Sequence, residues 1–405
     1  MFLRSIFPAI LFILSSVFLP SWLTGQASQP YVVMLSMDGF RWDYPEKCHT
    51  PNLDRIEAQG VKAHSLQPAF PSKTFANHYT MATGLYPEHH GIVDNSFYDP
   101  ATGKHYSIKD RHAVEDPAFY GNEPIWVTAE KNGIISASFF WVGSEAPIQG
   151  IQPTYWKRYD HDVPFEQRID SVIYWLNLPE EKRPHLITWY MDEPDGIGHG
   201  EGPDGKKTLQ MVAMLDSLLG IFLDKIDALP IAEQVNVIVT SDHGMGPVSP
   251  DRCINLKEYI DYKWFDEMEG YSPNLTLKVK SDYADTAWKA LSSIPHMTVW
   301  KHGHVPDSLH YGTNPRTLDF ILIADSAWQY SITGKTPGSA GAHGYNPFNT
   351  DMHAIFYARG PAFKVGFVHP TFENINLYPL ICEILGISPA PVDGHIDRVK
   401  TMLKK

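Results

Sequence analysis

The sequence predicts an α/β fold, a doubly wound and mostly parallel central sheet with helices on both faces. Three observations carry this. Short runs of β-branched and apolar residues recur along the chain, each ends at an acidic residue, and stretches with helical spacing separate them. The first run is Tyr31 to Met37, closed by Asp38-Gly39. The second, His185 to Met191, leads into Asp192-Glu193-Pro194-Asp195, and the third, Gln234 to Thr240, leads into Asp242-His243-Gly244. Near-continuous apolar strands indicate a sheet buried on both faces. Ligands of such sheets bind beyond the carboxyl ends of the strands, where these acidic residues fall.

The covering helices follow from apolar residues recurring every three or four positions in Thr50 to Gly60, Phe165 to Leu176 and Lys207 to Ile226. Residues from about 251 to 341 lack the strand-then-acid pattern and read as a small inserted subdomain. Nothing resembling a repeat or linker divides the chain, so residues 28–405 read as one compact domain. Before it, an apolar run from Ser5 to Leu19 precedes Gly25-Gln26-Ala27, which has small residues at the positions a signal peptidase requires. Residues 1–27 therefore read as a signal peptide, and the mature chain as secreted or periplasmic.

Composition narrows the class. With 405 residues, 43% hydrophobic and 20% charged, the chain can bury a sizeable core. A formal charge of -13 argues against a broad nucleic-acid surface, because such a surface needs clustered Lys and Arg. A small anionic substrate remains compatible if a metal ion meets it. Cys48, Cys253 and Cys382 allow at most one internal disulfide, so bridges are not what holds this fold. The sequon Asn274-Leu275-Thr276 would matter only in a eukaryotic secretory pathway. No stable protein partner is indicated.

The polar residues at the strand ends suggest chemistry. Asp242 and His243 are adjacent in a tight turn, and Asp195 and His199 lie four apart, a spacing that suits one helical face or a loop closing on an ion. His343 sits in the small-residue stretch Ala340-Gly341-Ala342-His343-Gly344. With Asp38 these make three carboxylates and three imidazoles, enough for two metals. Each piece alone has an ordinary reading: Asp38-Gly39 as a turn, Asp242-His243 as a strand end with a surface histidine, Asp195 and His199 as an ion-paired loop. Their shared position at strand ends is what favours ligation. A mixed carboxylate and imidazole set suits Zn²⁺ better than Mg²⁺.

Thr74, in Pro68-Ala69-Phe70-Pro71-Ser72-Lys73-Thr74-Phe75, opens a helix-like run and by itself reads as an N-cap. Beside two metals its hydroxyl could lose its proton and act as a nucleophile.

The motifs "MDGFRWDY" (Met37 to Tyr44), "FPSKTFANHYTMATGLYPEHHGIVDNSFYDP" (Phe70 to Pro100), "EPIWVTAEKNG" (Glu123 to Gly133), "EPDGIGHG" (Glu193 to Gly200), "SDHGM" (Ser241 to Met245), His343-Gly344 and "TFENINLYPLICEILGISPAP" (Thr371 to Pro391) resemble the nucleotide pyrophosphatase/phosphodiesterase family of the alkaline phosphatase superfamily. The likeness covers nearly all of the chain after residue 27. It implies two Zn²⁺, a phosphothreonine intermediate on Thr74, one metal held by Asp38, Thr74, Asp242 and His243, and the other by Asp195, His199 and His343. It also implies that Asn95 donates to a phosphate oxygen and that Phe75 stacks on a base, with Trp156 as the opposing aromatic and Tyr190 lining the pocket. The implied activity is hydrolysis of nucleotide phosphodiester or pyrophosphate bonds to nucleoside 5′-monophosphates.

Two alternatives stay in competition: a phospholipid or choline-phosphate diesterase on the same site, and a zinc-stabilised binding protein. A phosphomonoesterase would want an arginine near Thr74, where the segment offers only Lys73. A sulfatase would need a modifiable Cys or Ser at the nucleophile position.

Overall fold

The computed structural model describes residues 29–404. The expected signal peptide lies outside them. We label the main-sheet strands β1 (Tyr31–Met37), β2 (Val61–Ala63), β3 (Ser136–Phe139), β4 (Tyr155–Lys157), β5 (Leu186–Met191), β6 (Val235–Thr240), β7 (Phe356–Arg359) and β8 (Phe367–His369). Their order across the sheet is β8-β2-β7-β6-β1-β5-β3-β4. Every neighbouring pair is parallel except the two that β7 makes with β6 and β2.

All seven residues of β1 are buried, which explains why its sequence runs apolar without alternation. Alternate residues still choose opposite faces. Val32 and Met34 join one core cluster, while Tyr31, Val33, Leu35 and Met37 join the other. Helices α1 (Pro51–Gln59), α2 (Thr74–Thr83), α3 (Ile125–Lys131), α4 (Phe165–Leu176), α5 (Asp195–Glu201), α6 (Lys206–Asp227), α7 (Ala284–Leu291) and α8 (Leu377–Leu385) complete the parts needed below. α2, α3 and α8 supply Met81, Trp126 and Leu380 to the first cluster. α1, α4 and α6 supply Ile56, Val172 and Phe222 to the second, so the sheet is covered on both faces.

Residues 265–324 contain a separate antiparallel sheet of four strands, ordered Phe265–Glu269, Asn274–Val279, Phe320–Ala324 and Met297–Lys301. Leu277, Leu291 and Leu322 form its own apolar cluster, with Leu291 coming from α7. This sheet buttresses the loop that precedes α2, because Lys73 Nζ donates to the carbonyls of Tyr271 and Ser272 at 3.1 Å each. Asn274, the sequon asparagine, opens one of its strands and is only 5% exposed. Among the described residues no helix is long and apolar enough to cross a membrane.

Candidate active site

The carboxyl ends of the adjacent strands β6, β1 and β5 carry Asp242-His243, Asp38 and, on α5, Asp195 with His199. Backbone bonds tie these ends together: Asp195 N–H donates to the Asp38 carbonyl at 3.0 Å, and Gly39 N–H to Asp242 Oδ1 at 3.2 Å. Gly39 has a φ of 69°, and a Cβ there would lie 3.0 Å from Asp195 Cα, so the turn after Asp38 needs glycine. His343 arrives from about 100 residues further on, through the short antiparallel pairing of Gly246–Pro247 with Gly341–Ala342.

Two clusters result. In one, ligand atoms of Asp38, Asp242 and His243 all lie within 4.8 Å of one another; in the other, those of Asp195, His199 and His343 do. The clusters adjoin, since the His243 and His343 rings stack at 3.6 Å. Each histidine has its Nδ1 against a backbone carbonyl: His243 on Gly244 at 2.9 Å, His199 on Gly341 at 2.8 Å and His343 on Ser72 at 2.8 Å. A carbonyl only accepts, so each Nδ1 carries the proton and each Nε2 presents a lone pair.

Those lone pairs face carboxylates. His243 Nε2 lies 3.1 Å from Asp242 Oδ2 and 3.5 Å from Asp38 Oδ1, His199 Nε2 lies 3.5 Å from Asp195 Oδ2, and His343 Nε2 lies 3.6 Å from Asp195 Oδ1. Asp38 Oδ1, Asp195 Oδ1 and Asp242 Oδ2 are buried without a hydrogen-bond partner. Acceptor facing acceptor in a buried site is repulsive unless a cation lies between them. The donor set therefore fits divalent metal.

Electrostatics agree. Burial, with the repulsion of Asp242 and Asp195, pushes the Asp38 carboxyl well above the usual carboxylate range. Burial pushes Asp242 the same way, and positive charge at the His243 and His78 positions outweighs it and holds that carboxyl below the usual range, the effect a cation between these groups would have. His343 is driven well below ordinary imidazole by burial and by His243 and His199 beside it.

Thr74 is the first residue of α2 and Lys73 its N-cap, without a side-chain cap bond. This corrects the capping expectation. The Thr74 hydroxyl turns instead to the metal-ligand cluster, donating to His243 Nε2 at 3.2 Å. Phe75 N–H donates to Asn95 Oδ1 at 2.9 Å, which fixes the Asn95 carboxamide beside the nucleophile position. Asp94, next in the chain, is raised to about 6 by burial, although Lys73 opposes the shift.

A cleft of about 270 Å³ opens from Asp38, Thr74 and Asp195. Phe75, Tyr159 and Tyr190 line it, and beyond them stand Arg111 and Glu145, which form an ion pair. Trp156 is not among its lining residues, which corrects its assignment as the opposing aromatic. It sits on edge strand β4 and is 37% exposed. The neighbouring Tyr155 turns to the core and stacks on Trp175, so Trp156 points to the other face of the strand. Tyr159 lies past the strand end and is free to turn inward, and its N–H donates to Glu145 Oε1 at 3.3 Å. Reading the segment as a strand followed by a loop would have favoured it. The Arg111–Glu145 pair joins the short helix Arg111–Glu115 to a turn 34 residues further on and leaves no local pattern in the sequence.

Residues 32–346 match the family model described as type I phosphodiesterase / nucleotide pyrophosphatase. The chain is 36% identical over 389 residues to ectonucleotide pyrophosphatase/phosphodiesterase family member 3 of Rattus norvegicus, covering 93% of this chain and 44% of that protein. It is 37% identical over 389 residues to venom phosphodiesterase CdcPDE of Crotalus durissus collilineatus, covering 93% and 47% respectively. It thus spans about half the length of these curated relatives. Among solved structures, inactive murine ectonucleotide pyrophosphatase/phosphodiesterase 5 in complex with AMP superimposes with a TM-score of 0.89 at 33% identity, covering 93% of this chain and 100% of that one. Family model, relatives and architecture agree, and the chain belongs to the type I phosphodiesterase / nucleotide pyrophosphatase family, built on an alkaline-phosphatase-like fold.

Proposed function

We propose that this chain is a two-zinc phosphodiesterase that hydrolyses nucleotide phosphodiester or pyrophosphate bonds and releases nucleoside 5′-monophosphates, acting outside the cytoplasm as one catalytic domain over residues 28–405 with an insertion at about 251–341. The carrying observation is the convergence of three imidazole lone pairs and three unpartnered carboxylate oxygens beside the Thr74 hydroxyl. Asp38, Thr74, Asp242 and His243 would hold one ion and Asp195, His199 and His343 the other, and their imidazoles favour zinc over magnesium. When bound, such a pair supplies Lewis acidity that lowers the hydroxyl pKa and stabilises the leaving oxygen.

The chain's own residues carry the rest. Thr74 Oγ1 attacks phosphorus as the bond to the leaving oxygen breaks, and water then hydrolyses the resulting phosphothreonine. Asn95 keeps its NH₂ for a phosphate oxygen, because its Oδ1 is occupied by Phe75 N–H. Phe75, Tyr159 and Tyr190 offer ring surface for a base. The AMP bound to the murine relative supports a nucleotide at this position, and relatives named as ectoenzymes or venom enzymes support the extracytoplasmic compartment.

Turnover of p-nitrophenyl esters of thymidine 5′-monophosphate, phosphocholine and phosphate by the zinc-loaded protein tests this reading, with Thr74→Ala as the blank. The nucleotide ester is expected to be preferred strongly. Preference for phosphocholine would move the assignment to lipid substrates, and bound zinc with no turnover of any ester would leave a binding protein.

A further inference from the structure

Tyr190 is the last residue but one of β5 and pairs in register with Ser36, two residues before Asp38. Its side chain serves two surfaces. The ring lines the cleft, 6.2 Å from the Tyr159 ring, and meets the buried His78 edge-on at 5.0 Å. The hydroxyl donates to Asp38 Oδ2 at 2.6 Å, a short bond. The other carboxylate oxygen, Oδ1, is the unpartnered one, and it faces His243 Nε2 at 3.5 Å.

This division of the two oxygens has a consequence for ligation. A carboxylate free to rotate can approach an ion through either oxygen or both. With Oδ2 pinned by the phenol, rotation costs a hydrogen bond, and Oδ1 alone is turned inward. We propose that Tyr190 is a positioning residue for the metal centre: its hydroxyl fixes Asp38 for ligation through Oδ1, so one side chain joins the wall of the base cleft to the geometry of the metal ligand. The inference rests on the two-metal reading above. It differs from a purely substrate-lining role, in which the ring matters and the oxygen does not.

Tyr190→Phe separates the two roles, because it removes one oxygen and keeps the ring and the packing against His78. Zinc dissociation constants of the full chain, measured by chelator competition, are the direct readout, beside kcat and KM for the nucleotide ester. Tyr190→Phe is expected to loosen one of two zinc ions by about 10- to 100-fold, the usual effect of losing a hydrogen bond to a metal-bound side chain. kcat at limiting zinc falls with it, saturating zinc restores most of the loss, and KM stays at the wild-type value. Tyr190→Ala is expected to weaken zinc equally and to raise KM as well. Wild-type zinc affinities in Tyr190→Phe, or a change in KM alone, would overturn the positioning role while leaving the two-metal reading intact. A wild-type chain that binds no zinc would overturn both.

Discussion

Asn95 Oδ1 accepts the N–H of Phe75 at 2.9 Å, across 20 residues of chain. A backbone N–H can only donate, so the carboxamide has one orientation, and its NH₂ is left for the phosphoryl group that the proposed reaction puts at Thr74. Asn95→Ala is expected to lower kcat by roughly 10²- to 10³-fold with little change in KM, the usual cost of losing one donor to developing charge. Asn95→Asp preserves the bond to Phe75 but replaces the donor with a carboxylate, so it should be at least as damaging. Steady-state kinetics of both variants check this, and an active Asn95→Asp would remove the residue from the reaction.

Much of this site is legible in the amino-acid sequence itself. Asp38, Asp195 and Asp242 stand out because strands buried on both faces must end at the same edge of the sheet, and a carboxylate at that edge needs a reason. His199 follows from its four-residue spacing to Asp195, which α5 turns into one helical face. His343 is visible only through its glycine-rich surroundings, since its approach depends on the pairing of Gly246 with Ala342 far along the chain. The proposed base cleft is least legible. Aromatic residues are common in cores, and the choice between Trp156 and Tyr159 turns on where β4 stops.

That choice is testable. Base stacking is worth about 1–3 kcal/mol per aromatic on alanine substitution, so Tyr159→Ala should raise KM for the nucleotide ester roughly fivefold or more. Trp156→Ala, on the exposed face of β4, should leave both kcat and KM within about twofold of wild type, as substitutions at sites with few contacts usually do. The reverse ranking would return Trp156 to the cleft.

Metal removal should act on stability with a defined sign. In the metal-free fold Asp38 holds its proton more tightly than the unfolded chain does, because burial and its acidic neighbours raise its pKa. Metal-free stability from this group is therefore lost as pH rises from the ordinary carboxylate range through the raised value. Zinc requires the ionised carboxylate, and His343, whose pKa is depressed, is already neutral above the ordinary imidazole range. The rise in Tm on adding zinc should thus be larger at pH 7.5 than at pH 6.0. The accompanying stabilisation should approach about 4 kcal/mol per site at a thousandfold excess over Kd. A shift that is equal at both pH values, or larger at 6.0, would contradict the ligand assignment.

His90 gives an acid-side prediction independent of the metals. Its Nδ1 accepts Ile92 N–H at 3.2 Å, so the proton sits on Nε2, which donates to Thr80 Oγ1 at 2.9 Å. Burial, with the nearby His89 and Arg316 charges, pushes it down from 6.5 to about 3. A depressed histidine contributes stability that is lost as pH falls, because below about 6.5 the unfolded chain takes up a proton that the folded chain refuses. The loss is on the order of 4 kcal/mol by pH 3. His90→Asn has no proton to gain, and its amide can replace at least one of the two bonds. Urea unfolding from pH 7.5 to 4.5 should therefore show wild-type stability falling more steeply than that of the variant. Parallel curves would mean that His90 titrates alike in both states.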